Sequence, residues 1–473
     1  MTAPLPTGFT VRLAPTTHAC ADGTMLVGGS GAALRLRPRA RAVLRDDGTV
    51  VAEDRDSRLL ARLLLDRGLA DPVLAEVPPD DEVLDVTVVV PVRDRPRQLA
   101  RLLSCLPSSV PVVVVDDGSA EPALTRAVCQ ELGARLVPHP VSTGPAAARN
   151  SGLAAVRTPF VAFLDSDVVP VPGWLGTLRR HLDDPAVAAV GPRVLGDPPR
   201  SDDTWLCRYE AARSSLDLGP VAGPVLPLGR VAYLPGAALL ARRSALGTGF
   251  DERMRVAEDV DLVWRLHHAG WRVRYEPAAA VRHEHRTALL PWLRRKAFYG
   301  TGAAPLAARH GSDVAPLVLT PWTAALTAAL LAQRRWSLPV AGLVVAAVTV
   351  RTARRFGDDD RRWRTAWSLT ALGAVAAVRQ TGSALTRHFW PLVAVLAVRS
   401  PRARRALLAA AVADALTDHR RVRPALDLPR YLAARRLDDL AYGTGLWVGV
   451  VRARSVRALV PALRGIPVRR GSR

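Results

Sequence analysis

Two acidic side chains follow a strongly apolar run at residues 161–170, where the sequence reads VAFLDSDVVP. Side chains alternate along an extended chain, so Asp165 and Asp167 lie on the same side and can bind one cation together. Carboxylate oxygens suit Mg²⁺ and Mn²⁺, which complete their coordination with water and phosphate oxygens. The pair therefore indicates either a metal-bridged diphosphate site or an incidental acidic pair in a polar loop.

Two further polar residues each fit a binding role and a structural role. Asp117 ends the run VVVVDD, where its carboxylate either accepts a hydrogen bond from the imide of a nucleobase or caps the next helix. Arg149, in GPAAARNSG, contacts either a phosphate group or a carboxylate at a helix end. The sequence alone leaves both pairs of roles open.

A second acidic pair, Glu258 and Asp259, precedes a predicted helix in AEDVDLVWRLHHAGW. Acidic residues are common at helix starts, but a carboxylate here equally suits a general base that takes a proton from an attacking hydroxyl group. His283 and His285 follow the predicted strand RVRYEP, either as metal ligands or as surface histidines. These residues add candidates for proton transfer and metal binding.

The predicted strands and helices that carry these residues follow a repeating pattern. Runs such as VTVVVPV and VPVVVVDD alternate with helical stretches of regularly spaced leucines after residue 85. Such alternation predicts parallel crossovers and a doubly wound α/β sheet, whose ligands bind beyond the carboxyl ends of the strands. The sequence contains no G-x-G-x-x-G or P-loop lysine motif, which argues against a dinucleotide oxidoreductase or an NTPase.

The order and spacing of the motifs resemble those of the family 2 inverting glycosyltransferases with the GT-A fold. The resemblance covers residues 85–311 and rests on VTVVVPVRDRPRQL, VVVVDDGS, GPAAARNSGL, FVAFLDSDVVP, YLPGAALL and AEDVDLVWRLHHAGW. It implies a nucleotide-sugar donor and a divalent metal ion, Mg or Mn. The residues that it implies are Pro91, Arg93, Asp94, Asp117, Arg149 and Asp165 for the donor, Asp167 and His283 for the metal, Gly236 and Glu258 on the acceptor side, and Asp259 as the catalytic base.

His283 lies 24 residues after Asp259, which resembles the spacing in family members that use a histidine as a metal ligand. His285 stays an alternative ligand. Two features depart from the family pattern. Arg93-Asp94 stands where Tyr-Asn is common, which leaves the local donor contacts open, and no Gln-x-x-Arg-Trp follows the base motif, which disfavours long-chain polysaccharide synthesis.

The flanks of this core differ from it in composition. Residues 1–80 predict a small α+β module, either winged-helix-like or a plain packing domain. Residues 314–473 predict a helical, apolar, arginine-rich region attached to a membrane, because the uncharged run 314–333 is long enough to cross a bilayer. Beyond residue 333, 27 arginines against 8 acidic residues give +19 of the chain's net charge of +22.

The basic region interleaves arginine with alanine, leucine and valine, which suits an anionic membrane surface and argues against a nucleic-acid partner. Four scattered cysteines and the absence of a signal-peptide pattern at the start predict the cytoplasmic face of the cell membrane. Arg294, Arg295 and Lys296 suit either a diphosphate or the membrane surface.

The whole layout is similar to that of the glycosyltransferases of mycofactocin biosynthesis, which add glucose units to a small peptide-derived redox cofactor. This resemblance implies UDP-glucose as the donor and a small peptide-derived acceptor. The alternative is a membrane-associated glycosyltransferase that acts on a lipid or cell-envelope glycan. A catalytically inactive nucleotide-sugar-binding module is disfavoured, because Asp167, Asp259 and His283 occur together.

Overall fold

The computed structural model describes residues 4–20, 23–29, 31–74, 76–197, 203–284, 288–356 and 361–464. The chain forms two compact units. The first contains Met1–Pro15 and Ala42–Thr287, and the second contains Thr16–Arg41 and Ala288–Arg473. The limits expected from the sequence, 1–80, 85–311 and 314–473, remain predictions.

Strands and helices are numbered along the chain. The strands are Phe9–Leu13 (β1), His18–Cys20 (β2), Met25–Val27 (β3), Ala33–Arg35 (β4), Thr49–Ala52 (β5), Ala70–Pro72 (β6), Val86–Val92 (β7), Val112–Asp117 (β8), Arg135–His139 (β9), Phe160–Leu164 (β10), Val168–Pro170 (β11), Val187–Gly196 (β12), Gly223–Pro224 (β13), Ala238–Arg242 (β14), Arg272–His283 (β15), Val318–Leu319 (β16) and Ala462–Leu463 (β17). The helices are Pro38–Val43 (α1), Arg55–Asp66 (α2), Pro96–Leu103 (α3), Pro122–Glu131 (α4), Pro145–Ala155 (α5), Trp174–His181 (α6), Trp205–Arg213 (α7), Glu258–His268 (α8), Leu289–Thr301 (α9), Ala303–His310 (α10), Pro321–Ala332 (α11), Ser337–Ala353 (α12), Arg362–Ser383 (α13), Trp390–Arg399 (α14), Pro401–Val422 (α15) and Leu428–Arg452 (α16).

The first unit is built on a nine-stranded sheet with the strand order β11-β15-β12-β14-β10-β7-β8-β9, and β13 pairs with β15. Strands β10, β7, β8 and β9 are parallel neighbours, as the alternating pattern predicts. In contrast, β14 is antiparallel to β10 and β12, and β11 is antiparallel to β15. The predicted α/β class is confirmed, and the sheet is mixed beyond its parallel half.

Helices cover both faces of the parallel strands, as the contacts of β7 show. Alternate residues of this strand point to opposite sides of the sheet. Val88 and Val90 belong to the same hydrophobic cluster as Leu99 of α3. Val89 faces α5, where a Cβ placed on Gly152 would lie 2.2 Å from the Val89 Cγ1. Only glycine permits this close approach of helix and strand. The predicted doubly wound arrangement is therefore confirmed.

A smaller sheet of the first unit, with the order β5-β1-β6, lies with helix α2 against the large sheet. Arg62 of α2 donates two hydrogen bonds, of 2.6 and 2.7 Å, to the buried carboxylate of Asp184. Arg272 of β15 makes a similar double contact with Asp66 at the end of α2. Charge-assisted pairs of this kind are among the stronger hydrogen bonds in proteins, and they tie the small sheet to the strands that carry the site.

The second unit is mainly helical, and the uncharged run 314–333 does not form the single long helix expected from its sequence. Strand β16 occupies its first part, and α11 begins only at Pro321, because proline fits the first turn of a helix but not its interior. The 12 residues of α11 are too few to cross a bilayer. Among the described residues, one helical stretch, Ser337–Phe356, is long and apolar enough to do so, a property that core helices of soluble proteins share.

Candidate active site

The carboxyl ends of the parallel strands bring the predicted donor residues to one edge of the sheet. Pro91 lies within β7, and Arg93 and Asp94 follow directly after that strand. Asp117 ends β8, and Asp165 follows β10. Since β10, β7 and β8 are parallel neighbours, these residues share one edge despite their distance in sequence.

Strand pairing brings His283 to Asp167. In the antiparallel pair of β11 and β15, His283 lies opposite Val168, and the N–H of Glu284 donates to the carbonyl oxygen of Asp167 at 3.2 Å. The Nε2 of His283 is 3.6 Å from Oδ1 of Asp167, and Arg95 donates a hydrogen bond to Oδ2. Burial alone would raise the pKa of Asp167, but the charges of His283 and Arg95 outweigh burial and lower it.

Asp167 and His283 fit a divalent metal ion that takes its other ligands from phosphate oxygens and water. Their nearest atoms, 3.6 Å apart, are beyond hydrogen-bonding distance. Across the described ranges, no group of three or more His, Cys, Asp or Glu side chains is arranged to hold a metal. The second predicted histidine, His285, lies outside the described residues. Two protein ligands suit an ion that arrives with a diphosphate.

Arg149 links the two acidic pairs. Helix α5 carries this arginine into the interior, where it is 3% exposed. Its Nη2 donates to Oδ1 of Asp165 at 2.7 Å and to the carbonyl oxygen of Gly236 at 3.2 Å, and its Nη1 donates to Oε1 of Glu258 at 2.8 Å. Burial disfavours the charged guanidinium, but the Asp165, Glu258 and Asp259 carboxylates outweigh burial and raise the pKa of Arg149. The structure thus shows carboxylate contacts for Arg149, and a phosphate contact stays a prediction.

Asp259 lies at the start of helix α8. Its Oδ2 accepts a hydrogen bond from the N–H of Gly236 at 2.6 Å, and its Oδ1 accepts one from the N–H of Val260 at 2.8 Å. Burial and the neighbouring Glu258 carboxylate raise the pKa of Asp259 to about 6, although the Gly236 hydrogen bond and Arg149 oppose this rise. A carboxylate with a pKa near neutrality suits general-base catalysis.

Two backbone features hold this arrangement. At Gly236, a Cβ would lie 3.1 Å from Nη2 of Arg149 and 3.3 Å from Cβ of Asp259, so a side chain would force these groups apart. Ala257, directly before the acidic pair, has a φ of 63°, in the left-handed region that non-glycine residues rarely adopt. Such strain is common at functional sites. The acceptor-side roles of Gly236 and Glu258 stay predictions, and both residues contact Arg149.

The carboxylate of Asp117 is buried among internal hydrogen-bond partners. Its Oδ1 accepts from the N–H of Thr143 at 2.9 Å and lies 3.0 Å from Nδ1 of His139, and its Oδ2 accepts from Ser142 Oγ at 2.8 Å and from the N–H of Gly144 at 2.9 Å. Burial opposes ionisation, but these hydrogen bonds outweigh it and lower the pKa of Asp117 to about 2. Asp117 thus holds the loop before α5, rather than the helix directly after β8, and a nucleobase contact stays a prediction.

Arg93 and Asp94 form an exposed rim beside this loop. The Nη1 of Arg93 donates to Ser142 Oγ at 2.9 Å, and its Nε is 3.5 Å from Oδ2 of Asp94. Asp94 accepts a hydrogen bond from the N–H of Ala120 at 2.7 Å, and its own N–H donates to Ser119 Oγ at 2.9 Å. The two charged side chains are 57% and 50% exposed, so they remain accessible to a ligand.

Lys296 does not fit its predicted roles. It is 4% exposed in the second unit, its Nζ lies 3.8 Å from Oδ2 of Asp438, and it stacks over the ring of Trp292 at 5.4 Å. A buried ammonium group paired in this way cannot reach a diphosphate or a membrane surface, so both predictions for Lys296 are wrong. Arg295 stacks on Tyr299 at 4.7 Å, which leaves its predicted roles open.

Some side chains at the site carry no distinct sequence signal. The imidazole of His139 reaches Asp117 from the end of β9, which no spacing rule indicates. Asn150 holds the loop before the second acidic pair, because its Oδ1 accepts from the N–H of Phe250 and its Nδ2 donates to the Phe250 carbonyl, both at 2.8 Å. Arg95 had a signal, since it stands with Arg93 and Asp94 at the end of a strand, but its partner Asp167 follows only from the fold.

Comparison with known proteins identifies the family of the chain. Residues 87–248 match the sequence model of the family described as Glycosyl transferase family 2. A pre-mycofactocin glycosyltransferase of Mycobacterium tuberculosis is 46% identical over 477 residues, which covers 97% of this chain and 99% of the relative. An N-acetylglucosaminyl-diphospho-decaprenol L-rhamnosyltransferase of the same organism is 32% identical over 269 residues, which covers 48% of this chain and 85% of the relative.

Among solved structures, a mannosyltransferase of Pyrobaculum calidifontis in complex with GDP-Man and Mn²⁺ has a TM-score of 0.38 at 21% identity, covering 65% of this chain and 90% of that one. This similarity is too low to bear on the assignment. The family match and the full-length relative decide it: the chain belongs to glycosyltransferase family 2, with the α/β GT-A fold. Within that family it resembles the pre-mycofactocin glycosyltransferases over nearly its whole length.

Proposed function

We propose that this glycosyltransferase is inverting and transfers a hexose, glucose, from UDP-glucose to a hydroxyl group of a small peptide-derived acceptor, the precursor of mycofactocin. The observation that carries the reaction type is the network around Arg149, which joins Asp165 at the end of β10 to Glu258 beside Asp259. The observation that supports the acceptor is the 46% identity to a pre-mycofactocin glycosyltransferase along both chains.

In the proposed mechanism, Asp259 is the general base. The acceptor hydroxyl group loses its proton to the Asp259 carboxylate as its oxygen forms a bond to the anomeric carbon of the donor. The bond between that carbon and the diphosphate oxygen breaks in the same step, and the nucleoside diphosphate departs. One displacement inverts the anomeric configuration. Hydrogen bonds from Gly236 and Val260 hold the Asp259 carboxylate for this transfer.

The departing diphosphate accumulates negative charge, which the site must stabilise. Asp167 and His283 would hold a Mg²⁺ or Mn²⁺ ion, which neutralises that charge when bound. Asp165, held by Arg149, would contact the ribose, and Arg93, Asp94 and Pro91 would line the end of the site that receives the base. The chain thereby supplies separate groups for the donor and for the acceptor proton.

Purified protein incubated with a panel of nucleotide sugars and a synthetic mycofactocin precursor tests this proposal. We expect release of nucleoside diphosphate that requires the acceptor, is fastest with UDP-glucose and yields a product with the opposite anomeric configuration by NMR. Release with another sugar would change only the donor. A product that retains the donor configuration would exclude the single displacement.

A second acceptor class has its own support. The rhamnosyltransferase relative is named for an acceptor that carries a decaprenol lipid, and 85% of its length aligns with this chain. The same assay with polyprenyl-diphosphate sugars and cell-envelope glycans separates the two classes. Transfer to a lipid acceptor but not to the peptide-derived one would favour this alternative.

We further propose that the second unit attaches the enzyme to the cytoplasmic face of the cell membrane. In α13, the buried positions are Ala366, Thr370 and Ala377, all small. Large apolar side chains lie on the exposed side, namely Trp363, Trp367, Leu372, Val375 and Val378. In a helix surrounded by water the apolar stripe faces the core, so this inverted pattern suits contact with lipid.

Helix α14 repeats the pattern, with Leu392, Val395, Leu396 and Val398 all more than half exposed. Beyond residue 333 the chain carries a net charge of +19, which favours anionic lipid. Exposed apolar surface and positive charge together support membrane-surface attachment. They do not require α12 to cross the bilayer.

A further inference from the structure

Arg95 forms a hydrogen-bonded ion pair with Asp167, the carboxylate that we propose as a metal ligand. It precedes Pro96, the first residue of α3, in the loop after β7. Its Nη1 donates to Oδ2 of Asp167, while His283 faces Oδ1 at 3.6 Å. Arg95 is 39% exposed and Asp167 only 15%, so the guanidinium reaches inward from the solvent side of the site.

A divalent cation and a guanidinium compete for the same carboxylate. Both are positive, both bind through its oxygen lone pairs, and their charges repel at contact distance. Two other described arginines near the site are held by different partners. Arg149 is buried between Asp165 and Glu258, and Arg93 contacts Asp94 and Ser142 on the rim.

We propose that Arg95 is a resident counterion that holds Asp167 when the donor is absent and moves to the donor diphosphate when the metal and donor bind. A guanidinium group stays protonated and positively charged in proteins. After displacement from Asp167, Arg95 therefore needs another anion as its partner. The diphosphate that enters with the metal is that anion, and its oxygens can accept two hydrogen bonds from one guanidinium group. The inference rests on the proposed function and assigns to Arg95 the coupling between metal and donor binding.

Binding measurements on the full chain test this role without turnover. We would measure the affinity for Mn²⁺ alone by electron paramagnetic resonance, and for UDP and GDP with and without Mn²⁺ by calorimetry. The variants are Arg95→Ala, Arg95→Lys and Arg97→Ala. Arg97 is an exposed arginine on the first turn of the same helix, so its variant removes an equal charge nearby.

We expect Arg95→Ala to bind Mn²⁺ alone about tenfold more tightly than wild type, and the nucleoside diphosphate with Mn²⁺ about tenfold more weakly. Arg97→Ala should match wild type in both measurements. Arg95→Lys keeps the positive charge but lacks the planar guanidinium that can bind a phosphate through two hydrogen bonds. Its Mn²⁺ affinity should therefore stay near that of the wild type, while its nucleotide affinity falls.

Unchanged or weaker Mn²⁺ binding by Arg95→Ala would overturn the inference, as would equal effects of Arg97→Ala. Wild-type protein that binds neither UDP nor GDP in the presence of Mn²⁺ would count against the proposed function instead. In that case the measurement with Mn²⁺ alone still decides whether Arg95 competes for the metal site.

Discussion

Asp259 and Glu258 are neighbours in sequence with different electrostatic environments. The carboxylate of Glu258 faces the guanidinium of Arg149 at 2.8 Å, whereas that of Asp259 accepts hydrogen bonds from two backbone N–H groups. Burial and the charge of Glu258 raise the pKa of Asp259 to about 6. The two carboxylates are thus suited to different tasks. Glu258 fixes Arg149, and Asp259 remains able to exchange a proton near neutral pH.

We predict that Asp259→Asn retains donor binding and loses transfer. The amide keeps the size of the side chain but cannot accept a proton, so kcat should fall by about 10²- to 10⁴-fold. Turnover and calorimetric donor binding are the measurements, and Asp81→Asn, at an exposed position of the same unit, is the control. Loss of donor binding in Asp259→Asn would make this residue structural.

The pH dependence of the wild-type enzyme follows from the same pKa. The base must be deprotonated to act, so kcat/KM should rise as pH increases through about 6 and level off above it. The residual activity of Asp259→Asn should lack this rise. A wild-type profile without a limb in this range would show that a different group accepts the proton.

We also predict that Asp167→Ala lowers turnover by at least about a hundredfold, because it removes one of two protein ligands of the proposed metal ion. The far-ultraviolet circular dichroism spectrum should remain that of the wild type. A chelator should inhibit the wild-type enzyme, and added Mn²⁺ should restore it, while Asp81→Ala behaves as wild type. Full activity in the presence of chelator would exclude a metal-dependent site.

The identity of the site residues was more predictable than their contacts. Spacing along the chain is local, so the sequence identifies Asp165 and Asp167 as one acidic pair. The expected alternation along a strand is wrong for them, because both lie in the turn between β10 and β11. The contact of His283 with Asp167 depends on the register of β11 against β15, and the contact of Arg149 with Glu258 joins residues 109 positions apart. Such contacts arise only when the whole sheet is assembled, which explains why the motif suggested a role for Arg149 but not its partners.

Asp117 organises the loop that leads into α5, the helix that carries Arg149. Its carboxylate accepts hydrogen bonds from Ser142, Thr143 and Gly144. Because Gly144 directly precedes α5, these bonds fix the start of that helix against the end of β8. Asp117 thereby influences the position of Arg149 without touching it.

We predict that Asp117→Asn destabilises the first unit by about 2–4 kcal/mol, because an NH₂ group then faces donors that a carboxylate oxygen had accepted. The pKa of Asp117 falls from 3.8 to about 2 on folding, which corresponds to roughly 2 kcal/mol. This stabilisation is fully present above pH 4 and is lost as pH falls through about 2. Denaturant unfolding at pH 7 and at pH 2 measures the gap in unfolding free energy between wild type and variant, and this gap should be smaller at pH 2. An equal gap at both pH values would contradict this.

The parallel half of the sheet was predictable and its antiparallel strands were not. Strands β7, β8, β9 and β10 alternate in sequence with the helices α3, α4 and α5, and β7, β8 and β10 are mostly apolar, which is the signal of parallel strands buried on both faces. Strand β14 reads equally as an apolar strand, but its direction depends on the long connection that precedes it. Likewise, Pro321 interrupts the uncharged run 314–333, although composition alone favours one helix there.

Net charge is distributed unevenly along the chain. Residues 1–333 carry a net charge of only +3, while residues 334–473 carry +19. The proposed catalytic residues lie in the nearly neutral part, where a negatively charged nucleotide sugar would meet local groups such as Arg93 and Arg95 rather than a general positive field. The excess charge instead lies with the exposed apolar helices of the second unit.

The membrane attachment proposed for the second unit determines where the enzyme is found in the cell. We expect it in the membrane fraction, retained through a high-salt wash and released by detergent, because the exposed apolar sides of α13 and α14 supply a contact that salt does not screen. Substitution of Trp363, Trp367 and Val395 by glutamate should move it towards the soluble fraction, and the same substitutions should leave donor turnover in detergent unchanged. As a control, Leu124 and Val141, exposed apolar residues of the first unit, are replaced in the same way and should have no effect on fractionation. Release by salt alone would indicate attraction between arginines and anionic lipid as the sole attachment, and recovery in the soluble fraction before any wash would exclude membrane attachment altogether.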